Sequence, residues 1–529
     1  MLKLDGQQQH LLDERELELV EHLPAEPREP CRAYLPDELA RMVREVAAAT
    51  TLSAAPPCAD GYSGPHAVFV AGLPGAGKST LVPRLLAARQ LPRGDFAVVD
   101  ADALRAFHAQ FAEVSARAER YEDEMAWFMA GSGFEDVVFR RPDGLMAALF
   151  RERRSFVQLS LVNSAEALRW VRYVVRQGYR AHLLLVHAPA EVAAARAVAR
   201  AAESGRWCAA ERVRACEPGL LQWSRDVARA ALASGGDARV LDNSVAATAA
   251  AGSPSCRETP VSHVLLERYG MTAALLSGPR VMAYAAQVLA RLPPELFRGA
   301  SACLAGGAFK RLLLGGGDAA TAGMPRDLDI WPATPADEAL LLDRLRAACS
   351  SCESTRWNHR FAVPAIAAGG REGCSASIMV ELVRSTPGRS GALDAILARF
   401  DIALSAIGVT LEDGAVTGCL VHPLALDSVE QRAPLLLPGL PNEPFLLATA
   451  ERVLRYAREL GFAPPAAQLA ELKRAFDSDT SPERRRQLLG NYAATSISAR
   501  DRATVLEDFA ILPAEFSAAV AAAGAVAAS

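Results

Sequence analysis

A lysine, a serine and a threonine follow three closely spaced glycines at residues 72–80, which read Gly-Leu-Pro-Gly-Ala-Gly-Lys-Ser-Thr. The pattern fits G-x-x-x-x-G-K-[ST], and the apolar run 67–71 before it predicts a strand that leads into a helix. Glycines permit torsions in which successive N–H groups point at a phosphate, and a helix N-terminus adds partial positive charge. The alternative is a tight strand-to-helix turn without a ligand, and we favour the phosphate-binding loop.

Lys78 gives this loop its chemistry. Among 57 basic residues only Lys3, Lys78, Lys310 and Lys473 are lysines. A compact ammonium suits the β- and γ-phosphates, and the Ser79 hydroxyl is a ligand for Mg²⁺. The sequence therefore predicts binding of ATP with Mg²⁺, followed by transfer or hydrolysis of the γ-phosphate. The predicted nucleotide contacts in the loop are Gly72, Gly75, Ala76, Gly77, Lys78, Ser79 and Thr80.

The residues after the loop resemble a known family. A predicted strand at 96–99 is followed by Asp100, Asp102, Arg105 and His108. This order is similar to the zeta-toxin kinases, which are P-loop enzymes that phosphorylate a sugar hydroxyl of a nucleotide sugar. The resemblance covers about 64–245. Its further pieces are Gly178-Tyr179-Arg180 before a strand, a helix from Glu191 to Arg200, the lid-like Gly205-Arg206-Trp207, and the closing Leu241-Asp242-Asn243-Ser244.

The resemblance implies roles for particular residues. Asp102 matches the family's catalytic base, because a carboxylate near the acceptor hydroxyl can accept its proton. Asp100 is predicted as the partner of Mg²⁺, directly or through water. Arg200 and Arg206 would spread positive charge over the transferring phosphoryl group. Asn243 is predicted to contact the nucleotide.

These residues also have structural interpretations. Asp102 is a candidate N-cap for a helix that begins at Ala103, a role compatible with catalysis. The two arginines are also typical of a solvated helix face, and His108 is more typical of a structural histidine. Residues 158–164 stand where the family carries an acid or threonine motif that contacts the sugar. The acceptor therefore stays open, since the related polynucleotide 5′-kinases share the loop and an aspartate at the next strand end.

A second pair of aspartates lies in the other half of the chain. Asp327 and Asp329 are two residues apart, which places both carboxylates on one face of a strand. Upstream stands a Gly306-Gly307 turn, followed by Lys310. The region resembles the head domain of the tRNA nucleotidyltransferase and poly(A) polymerase superfamily. That resemblance implies two metal ions for attack on an α-phosphate, and a triphosphate cradled by the glycine turn.

Later segments extend this resemblance over about 300–465. A predicted strand at 378–384 carries Glu381, where the family places its third metal-binding carboxylate. Residues 399–406 are similar to the family's Arg-Asp-Phe-x-x-Asn-Ala segment, although the order is changed and the asparagine is missing; Asp401 in that segment competes with Glu381. Residues 452–462 resemble the first helix of its neck domain. The tail after 465 is short for a tRNA-binding body. The alternative for the two aspartates is an exposed strand end.

Composition limits the class of protein. A chain of 529 residues, 51% hydrophobic and with a net charge of −4, predicts two to four globular domains and no dedicated nucleic-acid surface. The N-terminus shows no leader pattern and no run of eighteen apolar residues exists, so we expect a cytoplasmic protein without a membrane span. The predicted organisation is an irregular or helical segment (1–63), a kinase domain (64–247), a helical connector (248–298), a nucleotidyltransferase-like domain (299–440) and a helical C-terminal region (441–529).

The sequence thus predicts an α/β fold: a parallel P-loop kinase sheet with helices on both faces, a second α/β domain and a helical C-terminal region. The predicted activity is phosphorylation of a hydroxyl on a nucleotide sugar or other small nucleotide-like acceptor. One alternative is an RNA end-processing enzyme with 5′-hydroxyl kinase and nucleotide-adding modules. The other is an ATP-controlled switch with an inactive binding domain. RNA is a candidate partner of the second domain, and no protein partner is predicted.

Overall fold

The chain forms two compact units, with the boundary between Met271 and Thr272. The computed structural model describes residues 29–48, 51–53, 61–87, 92, 94–116, 121–160, 162–204, 208–244, 263–315, 322–349, 352–355, 358–366, 377–385, 391–439, 443–478, 481–495 and 499–528. The predicted domain limits inside each unit stay predictions. No helix among these residues is long and apolar enough to cross a membrane.

The N-terminal unit is built on a six-stranded sheet with the order β1-β3-β4-β2-β5-β6. Only β1 runs antiparallel; the other five strands are parallel. All six residues of β2 are buried, as expected for a central strand covered on both faces. The strands are β1 (Thr51–Ser53), β2 (His66–Ala71), β3 (Gly94–Asp100), β4 (Ser155–Leu159), β5 (Arg180–His187) and β6 (Ala238–Asp242).

Helices connect these strands. Helix α7 begins after Ser164, whose Oγ accepts the N–H of Ala167, and its periodic apolar residues are buried. The helices of this unit are α1 (Pro36–Ala48), α2 (Lys78–Ala87), α3 (Ala101–Arg105), α4 (Phe111–Ala116), α5 (Tyr121–Ser132), α6 (Leu145–Arg151), α7 (Ala165–Arg176), α8 (Ala190–Ser204), α9 (Ala210–Ala233) and α10 (His263–Arg268), with a π-helical turn at Asp136–Arg140.

The predicted α/β fold with a parallel sheet is confirmed, and the strands predicted at 67–71 and 96–99 lie within β2 and β3. The pattern does not predict β4, because Gln158 interrupts its apolar residues and arginines precede it. Carboxyl ends of parallel strands meet at one edge of a sheet. The glycine-rich loop after β2, Asp100 at the end of β3 and Asn243 after β6 therefore lie along the same edge.

A buried histidine pair joins β2 to β5 inside this sheet. His66 Nδ1 lies 3.0 Å from His182 Nε2, and His182 Nδ1 accepts the N–H of Asp237. Burial and the nearby His66, Arg239 and Arg180 together lower the pKa of His182 to about 3, against an opposing effect of Asp237. The native unit therefore holds this imidazole neutral where an exposed histidine, with a pKa near 6.5, becomes charged.

The free energy of unfolding should fall as the pH drops below about 6.5. In that range His182 binds a proton in the unfolded chain but stays neutral in the folded chain. One such group contributes at most about 1.4 kcal/mol per pH unit. Urea unfolding between pH 7.5 and 4.5 measures the slope. His182→Gln, which keeps a hydrogen-bonding side chain without this titration, should flatten it. An unchanged slope in that variant would assign the acid sensitivity to other groups.

The C-terminal unit contains a mixed seven-stranded sheet with the order β13-β12-β7-β8-β11-β10-β9. Strands β8 and β11 are parallel, and the remaining pairs are antiparallel. The strands are β7 (Ser301–Ala305), β8 (Asp327–Pro332), β9 (Cys352–Ser354), β10 (Asn358–Pro364), β11 (Ser377–Val383), β12 (Ile407–Glu412) and β13 (Ala415–Val421). The second α/β region predicted from the sequence is thereby confirmed.

The predicted helical C-terminal region is also confirmed, and it begins with a long helix, α16, that ends at Gly461 in a left-handed C-cap. The helices of this unit are α11 (Gly278–Leu289), α12 (Arg311–Leu314), α13 (Pro335–Ala348), α14 (Leu393–Leu397), α15 (Pro423–Glu430), α16 (Leu446–Leu460), α17 (Ala466–Asp477), α18 (Pro482–Thr495), α19 (Ala499–Asp508) and α20 (Pro513–Ala528). Short 3₁₀ segments include Thr272–Leu276, Gly307–Lys310 and Ala403–Ser405.

Candidate phosphate-transfer site and a second carboxylate cleft

The glycine-rich loop runs from β2 directly into the N-terminus of α2. Gly72, Gly75 and Gly77 all have positive φ angles. At Gly75 (φ +81°) a Cβ would lie 2.0 Å from the carbonyl oxygen of Ala193, so no other residue fits this close approach to α8. A glycine turn that ends on a helix N-terminus is the arrangement that binds phosphate through backbone N–H groups. The loop therefore has the backbone geometry of a phosphate-binding turn.

Lys78 folds back over this loop. Its Nζ donates hydrogen bonds to the carbonyl oxygens of Gly72 at 2.7 Å and Leu73 at 3.0 Å. Burial lowers the pKa of Lys78 to about 8; Asp102 opposes this shift and Arg200 adds to it. The structure thus brings three of the predicted catalytic side chains within electrostatic reach of one another.

The remaining loop residues divide into buried and accessible ones. Ala76 is buried and its N–H donates to the carbonyl oxygen of Leu73 at 3.0 Å, which closes the turn. Ser79 and Thr80 are exposed on the first turn of α2. The Ser79 hydroxyl is therefore accessible to a metal ion that arrives with a nucleotide.

Asp100, and not Asp102, caps the helix after β3. Its Oδ1 accepts the N–H of Asp102 at 3.0 Å, and α3 begins at Ala101. The interpretation of Asp102 as the cap of a helix beginning at Ala103 is therefore wrong, because the chain leaves the extended conformation two residues earlier. Asp102 instead accepts a hydrogen bond from Arg105 Nη1 at 2.8 Å, and about a third of its side chain stays exposed. Its carboxylate is thus free of the capping role.

His108 has the structural role that the sequence suggested. It is buried, with its Nε2 2.9 Å from the carbonyl oxygen of Arg32, and its Nδ1 accepts the N–H of Gln110. These bonds tie the turn after α3 to the segment before α1.

Arg200 and Asn243 lie at the loop in different ways. Arg200 is partly buried on α8, whereas Arg206 lies outside the described residues. Asn243 Nδ2 donates to the carbonyl oxygen of Ala76 at 2.7 Å, and its own carbonyl accepts from Arg196 Nη1. Asn243 therefore fastens the loop to the end of β6, and the sequence does not predict Arg196 here because its partner belongs to a distant strand end.

Strand β4 and the segment after it contain residues whose roles the sequence did not predict. Gln158 Oε1 accepts the Trp170 Nε1–H at 2.8 Å, so this side chain holds α7 to the sheet. Asn163 forms a side-chain hydrogen bond with Cys216 of α9; burial raises the pKa of that thiol, while the ammonium of Lys78 lowers it. Cys216 therefore lies within electrostatic reach of Lys78, and this proximity follows from the packing of α9 against Asn163.

The predicted carboxylates of the C-terminal unit lie on adjacent strands. Asp327 and Asp329 stand on β8, and Glu381 on β11 is the direct pairing partner of Asp329. Residues paired in this way project from the same face of a sheet. Gly306 approaches closely, since a Cβ there would lie 2.4 Å from Oδ2 of Asp329. The glycine turn and three carboxylates therefore surround one space, here called the carboxylate cleft.

Burial and mutual repulsion act on these acids. Burial raises the pKa of Asp329 well above its ordinary value, and the neighbouring charges of Glu381 and Asp327 raise it further. Burial also raises the pKa of Glu381, while Arg360 opposes that shift. A cation that binds between acids this close together reduces the repulsion between their negative charges.

Glu381 is already occupied by two partners. Its Oε1 pairs with Arg360 Nε at 2.9 Å and its Oε2 accepts from Asn358 Nδ2 at 2.6 Å. Across the described ranges, no group of three or more His, Cys, Asp or Glu side chains is placed to hold a metal ion. Asp327, Asp329 and Glu381 stay predicted metal ligands, and Glu381 differs from the two aspartates because an arginine and an amide already contact both of its oxygens.

Asp401, the other candidate for the third carboxylate, is bound by side chains of α16. It is buried, pairs with Arg452 and accepts a hydrogen bond from Thr449. These contacts fasten α16 to the segment before β12. In this position Asp401 stabilises the wall of the carboxylate cleft.

The carboxylate cleft is a cavity of about 1050 Å³. Lys310 on its wall pairs with Glu459 at 2.6 Å, and its Nζ lies 3.9 Å from the centroid of the Tyr456 ring. A Cβ at Gly307 would lie 2.3 Å from the Tyr456 hydroxyl, so the glycine turn contacts α16 closely. Further basic side chains on the lining are Arg311, Arg326, Arg399 and Arg455. The cleft therefore combines carboxylates at its base with basic groups suited to phosphate oxygens.

A parallel sheet whose central strand continues through G-x-x-x-x-G-K-S into a helix defines a P-loop kinase-like domain. The family model described as Zeta toxin matches residues 49–245 of this chain. No curated protein matches the chain.

Solved structures with partial similarity fall into two groups. One is from the PezAT chromosomal toxin–antitoxin system of Streptococcus pneumoniae, with 14% identity, coverage of 42% of this chain and 86% of that one, and a TM-score of 0.29. The Thermotoga maritima CCA-adding enzyme complexed with tRNA has 14% identity, coverage of 41% and 50%, and a TM-score of 0.27. A tRNA nucleotidyltransferase complexed with a primer tRNA and an incoming ATP analog has 16% identity, coverage of 40% and 58%, and a TM-score of 0.29. The chain spans about half the length of these two tRNA enzymes.

Proposed function

We propose that the N-terminal unit is an ATP-dependent phosphotransferase that phosphorylates a hydroxyl group of a small, nucleotide-like acceptor such as a nucleotide sugar. The observation that carries this proposal is the placement of Lys78 in a complete phosphate loop beside Asp102. Arg200 and, by sequence, Arg206 supply further positive charge. Ser79 and Asp100 are the residues proposed to hold Mg²⁺, which would neutralise charge on the nucleotide phosphates.

The proposed reaction has a simple balance. The acceptor oxygen forms a bond to the γ-phosphorus, the bond between that phosphorus and the β–γ bridging oxygen breaks, and ADP leaves. The proton of the acceptor hydroxyl passes to the Asp102 carboxylate, which is accessible because Asp100 does the capping. Lys78 and Arg200 stabilise the negative charge on the transferring oxygens.

The acceptor distinguishes the proposal from its rivals. Incubation of the full chain with γ-labelled ATP and a panel of nucleotide sugars, nucleosides and 5′-hydroxyl RNA should label a small acceptor. Labelling of RNA alone would favour the RNA end-processing alternative. ATP turnover that no acceptor changes would favour an ATP-controlled switch.

For the C-terminal unit we propose binding of a divalent metal ion with a nucleoside triphosphate in the carboxylate cleft, as in nucleotidyl transfer. The supporting observation is the pair Asp327 and Asp329 beside the Gly306-Gly307 turn, in a cavity that also carries basic side chains. RNA is the proposed acceptor class for this unit.

Mn²⁺ with a non-hydrolysable triphosphate should raise the melting temperature of the full chain more in the wild type than in Asp327→Ala/Asp329→Ala, because binding to the native state stabilises it. Binding at the phosphate loop is common to both proteins, so the difference between them reports the cleft. The double variant should also melt no lower than the wild type without metal, since two repelling acids are removed. Equal shifts in both proteins would contradict metal–nucleotide binding in the cleft.

A further inference from the structure

Strand β10 places two nitrogen donors directly against Glu381. Arg360 is the pairing partner of Glu381 across the antiparallel β10–β11 ladder, and Asn358 stands two residues away on the same face. The guanidinium Nε and the amide Nδ2 reach different oxygens of the carboxylate, at 2.9 Å and 2.6 Å. Both carboxylate oxygens of Glu381 are therefore bound by residues of β10, the neighbour of β11 on the edge away from β8.

Asn358 is itself fixed. Its Oδ1 accepts the hydroxyl of Thr355 at 2.6 Å, and its backbone N–H donates to Thr355 Oγ1 at 3.1 Å. These bonds orient the amide so that its N–H₂ group points toward Glu381. The contact between Thr355 and Asn358 thus fixes the amide that binds Glu381.

The two aspartates on β8 differ from Glu381 in this respect. Asp327 is exposed, and no hydrogen bond or ion pair is described for the carboxylate of Asp327 or of Asp329 among the described residues. A cation that enters the carboxylate cleft therefore meets two available carboxylates and one that an arginine neutralises. The positive charge of Arg360, which is fixed beside Glu381, also repels a second cation.

We infer that Arg360, with Asn358, withholds Glu381 from the metal, so that the cleft binds a single divalent ion through Asp327 and Asp329. This inference rests on the metal–nucleotide binding proposed for the cleft and revises the prediction of Glu381 as a third metal ligand. Arg360 is accordingly a positioning residue that sets the number and affinity of bound metal ions.

The test is titration of the full chain with MnCl₂ alone, with free Mn²⁺ followed by its electron paramagnetic resonance signal. Subtracting the binding of Asp327→Asn/Asp329→Asn isolates the cleft from any metal at the phosphate loop. The wild type should show one cleft ion. Arg360→Gln should bind Mn²⁺ about tenfold more tightly or take up a second ion, because Glu381 becomes available as a hard ligand.

A double-mutant cycle separates release of Glu381 from simple removal of positive charge. Glu381→Gln should change Mn²⁺ affinity less than twofold in the wild type, and should cancel the gain in Arg360→Gln. Arg360→Lys, which keeps the charge, should stay close to the wild type and controls for altered folding of β10. Thermal melting of each variant without metal identifies any that fail to fold.

The outcomes are distinguishable. Aspartate-dependent binding that Arg360→Gln leaves unchanged or weakens overturns this inference and leaves the proposed metal–nucleotide binding in place. Loss of affinity from Glu381→Gln alone, by tenfold or more, overturns it as well, because Glu381 is then a ligand in the native cleft. Absence of any aspartate-dependent Mn²⁺ binding in the wild type overturns both.

Discussion

Replacing Lys78 with alanine should reduce ATP-dependent phosphoryl transfer by about a thousandfold or more. The ammonium is placed to contact the transferring phosphate, and losing such a charged contact in the transition state costs several kcal/mol. Initial rates with γ-labelled ATP and the best acceptor measure this loss. A rate within a few fold of the wild type would contradict the kinase assignment.

The structure predicts that this variant stays folded. The Nζ of Lys78 bonds only to carbonyl oxygens of its own loop in the described contacts, at Gly72 and Leu73. The carbonyl oxygen of Leu73 still accepts the N–H of Ala76, whereas the buried Gly72 loses a donor, so the free energy of unfolding should fall by only about 1 to 3 kcal/mol. Arg84→Ala is a matched control, because Arg84 is an exposed cation on the same helix. Equal loss of rate in that control would point to damage to α2.

The phosphate loop could be predicted from sequence because its determinants are local. Glycine torsions, the lysine and the helix start all fall within nine consecutive residues, and the flanking strand is buried and apolar. The shared orientation of Asp327 and Asp329 could be predicted for the same reason, since side chains two residues apart on a strand project from the same face. Local geometry thus predicts which residues form the centre of each candidate site.

The neighbours of those residues could not be predicted, since they come from distant segments. Arg360 stands beside Glu381 only because β10 pairs with β11 in one register. Cys216 lies within electrostatic reach of Lys78 only because α9 packs next to Asn163. A change of register by one residue would reverse the face of each strand residue, and single-sequence patterns do not define that register.

The error at Asp102 has a similar origin on a smaller scale. Asp100 and Asp102 both suit an N-cap by residue type, and propensity does not distinguish positions two residues apart. The decision depends on where β3 stops being extended, which follows from its pairing with β4 up to Asp100. Tertiary pairing therefore decides which aspartate is left for chemistry.

Asp102→Asn should lower kcat by about 10² to 10⁴ with little change in the dissociation constant for ATP. An amide cannot accept the acceptor proton, whereas ATP is bound mainly by the loop. Because Asp100 provides the cap, the substitution leaves the start of α3 intact. It removes a partly exposed ion pair with Arg105, and such a pair contributes about 1 kcal/mol or less. Chemical denaturation should therefore show a small change in stability beside a large change in rate.

Two companion variants make this result specific to the base. Asp95→Asn changes an exposed aspartate at the start of the same strand and should leave kcat and stability unchanged. Asp100→Asn keeps a capping side chain but weakens a proposed metal ligand, so its loss of rate should be partly restored by raising the Mg²⁺ concentration. Asp102→Asn should show no such recovery, because no metal replaces a missing proton acceptor. Full turnover in Asp102→Asn would remove this residue from the reaction, and recovery with Mg²⁺ would reassign it to metal binding.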